Sequence, residues 1–162
     1  MRLDHLANFS KGLAMQKLFY AAFAYMILGV GSGLFYREFT KANDFPEGQF
    51  TQLGLVHTHL LTLGFIVLLI VLVIEKVFVI SKSHLFEWFF WVYNAGVLAT
   101  SAMLAWHGSL TVMGEESTSA IAGIAGLGHI ALTAGMVLLF LALRSRIVAP
   151  KDAPSVTAVP AE

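Results

Sequence analysis

The sequence predicts an all-α, polytopic membrane protein with four transmembrane helices, and three observations carry that prediction. Of the 162 residues, 57% are hydrophobic and only 12% charged, a balance far from that of a soluble domain. Four apolar stretches, at about 13–36, 53–76, 85–106 and 121–143, are each long enough to cross about 30 Å of hydrocarbon at about 1.5 Å per residue. The basic residues fall unevenly on the segments between them. With a cytoplasmic amino terminus, Arg2, Lys11, Lys17, Lys76, Lys82, Arg144, Arg146 and Lys151 lie inside and only Arg37 and Lys41 outside. Both termini are then expected in the cytoplasm.

The chain reads as one membrane domain, 1–148, followed by a tail, 149–162, whose Pro150, Pro154 and Pro160 predict a disordered cytoplasmic segment. The formal net charge is zero and no basic patch is dense enough to suggest nucleic acid as a partner. Cysteine is absent. This excludes thioether-linked haem, thiolate ligation, cysteine-held iron-sulfur clusters and disulfides, so any cofactor must be held by histidine, methionine or oxygen ligands.

Residues 1–12 are polar, and the first apolar stretch lacks a small-x-small cleavage site, so it reads as a retained helix. Its Gly29 and Gly33, four residues apart, let another helix or a flat cofactor come close to the backbone. Residues 37–52 read as a loop, broken by Asn43-Asp44 and Pro46. The second helix carries no formal charge for more than 20 residues after Gln52, and His57-Thr58-His59 stands near its start. The third opens on Phe86, Trp88, Phe89, Phe90 and Trp91, suited to the headgroup boundary, and carries Tyr93 and Asn94 near its middle. A loop is expected from His107 to Ala120. The fourth helix offers Gly123 and Gly126 as a small-residue seam before Arg144 and Arg146 stop it.

Four of the six histidines collect in the outer half of the membrane. Counting from the helix ends, His57 and His59 lie roughly 6 to 9 Å deep, His129 roughly 12 Å, and His107 at the boundary. A polar, ionisable side chain in hydrocarbon is costly without a partner, which makes each a candidate ligand. Positions two apart on a helix point about 200° apart, so His57 and His59 serve sites on opposite faces and not one compact metal centre. Widely spaced imidazoles in a cysteine-free bundle suit haem better than zinc. On the His57 face, Gly64 leaves room for a flat macrocycle. Met103, one turn from His107, could complete a soft copper site. The alternative for each imidazole is a hydrogen bond to a neighbouring helix.

The triplet resembles the His-x-His of the haem-copper oxidase superfamily, in whose catalytic subunit one helix ligates two haems on opposite faces. That subunit has twelve helices in three equivalent groups of four, and this chain looks like one such group. The resemblance implies a homotrimer that rebuilds the ring, with a bis-histidine haem b at each protomer boundary between His57 of one copy and His59 of the next. It further implies His129 or His107 as a propionate contact or added metal ligand, and quinol or another electron donor as partner beside the lipid bilayer. The chain is also similar to a family of four-span bacterial membrane proteins with a like His-Thr-His helix over most of residues 13–146. That likeness implies a multi-pass protein of the bacterial cytoplasmic membrane.

The departures from the oxidases shape the expected function. His107 is followed by Gly108, and nothing matches their His-Pro-Glu-x-Tyr segment, so the haem-copper catalytic centre is incomplete. No acidic residue or lysine is expected inside a helix, which argues against proton pumping. Two axial histidines leave iron no open position, favouring electron transfer or haem handling. Two other readings remain open: a small oxygen or nitric oxide reductase with haem and copper, and a cofactor-free membrane interaction or metal-transport protein.

Overall fold

The computed structural model describes residues 2–116 and 118–148; the tail expected to be disordered lies outside the described residues. The chain is all-helical, with four helices long and apolar enough to span a membrane. We label them α1 (Arg2–Ala42), α2 (Leu53–Phe78), α3 (Leu85–Met113) and α4 (Ser119–Ile147).

Every helix is longer than its apolar core. In α1 the expected loop from residue 37 starts as helix, because Arg37 to Ala42 contain no breaker; the chain turns only at Asn43-Asp44, with Asp44 at φ 49°. In α3 the helix runs through His107, which was expected to begin a loop, and stops at Gly114 (φ 73°), whose N–H donates to Thr111 O (3.2 Å). The expected loop is thereby shortened to a few residues.

Cross-helix bonds define two ends. At the end holding both described chain ends, Lys17 Nζ pairs with Glu87 Oε1 at 2.7 Å, joining α1 to α3. There Lys11 Nζ donates to Lys76 O (3.3 Å) and Arg146 Nε to Phe78 O (3.4 Å), so cations from α1 and α4 meet the negative end of the α2 dipole. At the opposite end, the loop end, Thr51 Oγ1 donates to Gly108 O (2.8 Å) and accepts from Leu53 N (3.2 Å), fixing the start of α2 on α3.

Glu75 corrects the expectation that helix interiors hold no acid. It is fully buried in α2, which extends to Phe78. Its carboxylate accepts from Ser81 N (2.9 Å) and Ser81 Oγ (2.6 Å), tying down a turn in which Val79 takes φ 51°, a strained value for a β-branched residue. Lys17 and Glu87 likewise lie within helices, where they pair with each other.

Packing follows the glycines, though not all the expected ones. Leu61 fills the space over Gly29. The α3–α4 seam is built from Gly96, Gly128 and Gly135, which meet Leu132, Thr100 and Tyr93, whereas Gly123 and Gly126 have nothing within 4 Å. The expected seam faces outward because the 3.6-residue repeat turns Gly128 and Gly135, not Gly123, to α3. α1 packs against α2, and α4 against α3.

Gly108 meets the Leu53 backbone so closely that an added Cβ forces the two helices apart. Gly108→Ala is therefore expected to lower the stability of the detergent-solubilised protein by about 1–3 kcal/mol in thermal unfolding, whereas Gly31→Ala, with open space around it, should leave it unchanged.

Candidate functional site

α2 is not a uniform helix. Leu53–His59 is α-helical, Leu60–Ile66 is π-helical and Val67–Phe78 returns to α. The wide turn begins directly after His59. Such turns loosen the backbone ladder and recur at functional sites. Here Tyr93 of α3 donates its hydroxyl to Leu63 O (3.0 Å), and the Tyr25 ring of α1 packs onto Gly64. Tyr25 in turn donates to Asn94 O (3.4 Å). Two tyrosines thus clasp the π turn from either side. The macrocycle space expected over Gly64 belongs to Tyr25, and a Cβ there would collide with its ring.

His57 is half-buried on the α1 side: a Cβ placed on Gly33 would lie 3.8 Å from His57 Cβ. Its Nδ1 is buried without a hydrogen-bond partner, and its Nε2 stands 3.4 Å from Thr58 Oγ1. His59 points to the other flank of α2. Its Nδ1 lies 3.1 Å from Leu55 O, one turn back. A carbonyl only accepts, so this bond places the proton on Nδ1 and leaves the Nε2 lone pair free.

His129 repeats that arrangement on α4, its Nδ1 2.9 Å from Ala125 O, with the ring on an exposed face. An imidazole oriented by Nδ1–H to a carbonyl, with Nε2 open, is the form in which histidine binds metals. His107 is half-buried in α3 and not at a helix boundary; its carbonyl accepts from Thr111 Oγ1 (3.1 Å), while Met103 is half-buried one turn away. Among the described residues no three His, Asp or Glu side chains converge to hold a metal ion.

The residues that sequence reading brought together are therefore divided. His57 faces α1 and His59 the opposite flank, as their spacing requires, and His129 stands on a third helix. Two cavities of about 530 and 520 Å³ lie between α1 and α3, both against Leu28 and Leu98 and the second over Val56 and Leu60, and no histidine lines either. The clasping role of Tyr25 and Tyr93 is absent from the sequence reading. Its signal is a phenol in mid-span, which must find an acceptor inside the protein.

A family model described as "Protein of unknown function (DUF2871)" matches residues 15–146. No curated protein and no solved structure matches the chain.

Tyr93→Phe removes one hydroxyl and leaves Leu63 O in the π turn short of a donor. The expected loss is about 1 kcal/mol of stability, with faster amide exchange confined to residues 60–67, read by hydrogen–deuterium exchange.

Proposed function

The chain belongs to the DUF2871 family, and we propose that it is an integral-membrane b-type haem protein that passes electrons, with α2 as the ligand-bearing helix. The observation that supports this reading is the state of the two α2 imidazoles. One has a buried ring nitrogen with no partner, and the other is oriented by its own backbone with Nε2 left open. Leaving such groups unmatched inside a membrane costs free energy, and a metal-bound macrocycle removes that cost.

The donor set fits haem iron. Neutral imidazole is a common ligand of haem iron, and thiolate ligation is excluded because the chain has no cysteine. His59 would hold the iron through Nε2, its ring angle set by the bond to Leu55 O. The apolar helix faces around it would exclude water. Haem bound through two imidazoles supplies one-electron transfer without an open coordination position. The second imidazole comes from a neighbouring copy, as the oxidase resemblance implies, or from another helix of the same chain. Assembly of copies, three in the oxidase-like ring, would also cover the outward apolar faces of α1 and α4.

Protein purified in detergent and supplemented with haemin is expected to show a Soret band and a low-spin reduced spectrum inert to carbon monoxide. His59→Ala should convert it to high-spin or abolish binding. Absence of a Soret band after supplementation would overturn the reading, and carbon monoxide binding to wild type would favour the reductase alternative.

A further inference from the structure

The last turn of α2 collects cations from three helices. Lys11 Nζ of α1 lies 3.3 Å from Lys76 O and Arg146 Nε of α4 lies 3.4 Å from Phe78 O, while Lys76 is itself exposed on that turn. The two acceptor carbonyls are two residues apart in one helix, so the Lys11 ammonium and the Arg146 guanidinium stand no further apart than about the 10–12 Å width of a helix. A helix C-terminus draws cations, which is reason enough for one of them to be here. The charge exceeds that need. Three full positive charges meet about half an elementary charge from the helix end and the carboxylate of Glu75, which is buried and already accepts twice from Ser81. Among the described residues none of the three is paired with a carboxylate, in contrast to Lys17, which is held by Glu87. Hydrogen-bonding capacity is left over as well: the bond to Phe78 O uses one of the five N–H groups of Arg146, and that to Lys76 O one of the three of Lys11.

The level of these groups narrows what they can hold. Lys11 opens the first apolar span, Phe78 closes the second and Ile147 the fourth, so the cations stand where hydrocarbon gives way to headgroups. The residues adjoining them are apolar and uncovered, Val77 being 65% exposed, Phe78 39% and Ile147 58%. Excess positive charge bordered by bare apolar side chains complements a molecule with an anionic head and hydrocarbon tails; a free anion would use only the charged half.

We propose that this end of the bundle binds one anionic phospholipid, its phosphodiester seated between Lys11, Lys76 and Arg146 and its acyl chains lying over the exposed ends of α2 and α4. Arg146 offers the free side of its guanidinium fork to two phosphate oxygens, and the two lysines act as point charges. The lipid thereby fastens α1 and α4 to α2 through a shared anion. This site is independent of the haem reading, and failure of either leaves the other standing.

The test uses full-length protein in a neutral detergent, with dioleoylphosphatidylglycerol and dioleoylphosphatidylcholine as probes and binding followed by native mass spectrometry and thermal unfolding. Phosphatidylglycerol at about 100 times its Kd is expected to raise the unfolding midpoint by roughly 5–10 °C, and phosphatidylcholine at the same concentration to leave it unchanged. Lys76 makes no side-chain hydrogen bond among the described residues, so Lys76→Gln should fold normally and weaken phosphatidylglycerol binding about fivefold. Arg146→Gln should weaken it about tenfold, with Arg146→Lys in between, whereas Lys41→Gln at the loop end should have no effect. If Arg146→Gln does not fold, Lys76→Gln and Lys11→Gln decide the matter. Equal stabilisation by the two lipids, or phosphatidylglycerol binding unchanged in Lys76→Gln and Lys11→Gln, would overturn the inference. Stabilisation by inorganic phosphate equal to that by phosphatidylglycerol would overturn the lipid as occupant.

Discussion

A spanning helix must satisfy its own backbone, and the wide turn in α2 breaks that rule at the centre of the molecule. The remedy comes from both neighbours. The Tyr93 hydroxyl supplies a donor to Leu63 O, and the Tyr25 ring covers Gly64 so closely that no side chain could replace its hydrogen. Because the turn begins immediately after His59, the same clasp fixes the rotational setting of the loop-end half of α2 against its lower half. The two imidazoles owe their directions to it. Without the π turn, the segment bearing them would be rotated relative to Leu68, Val71 and Glu75, which anchor the rest of α2 in the core.

Several polar groups among the described residues of the spans are matched within the chain, which makes the exceptions informative. Glu75 bonds Ser81 twice, Asn94 Nδ2 donates to Phe90 O (2.6 Å), and Lys17 pairs with Glu87. Against that background the unpartnered Nδ1 of His57 and the open Nε2 of His59 and His129 stand out. The buried hydroxyls of Thr100 and Ser101 also lack partners, but a hydroxyl is a weaker demand than an imidazole.

The four helices were legible because hydrocarbon thickness and backbone satisfaction leave a chain this apolar few other forms. Helix ends were less so. Hydropathy falls at Arg37 and at His107, yet helices continue past both, since what ends a helix is a breaker: Asn43-Asp44 in one case and Gly114 in the other, both plain in the sequence. The opposed directions of His57 and His59 followed from helical spacing alone. What fills the space over a glycine did not. Gly64 reads equally as room for a macrocycle or for Tyr25, and only the packing of α1 decides it. The π turn has no signature that separates its sequence from an ordinary apolar helix.

α1 and α4 are fastened to the last carbonyls of α2 by Lys11 and Arg146, beside the Glu75-Ser81 turn that leads into α3. Nothing comparable ties α4 to α2 near the loop end among the described residues. The bundle is built like a pair of tongs, with its rivet beside the chain ends and its jaws at the far side. The end that carries the basic rivet is therefore the more tightly constrained of the two.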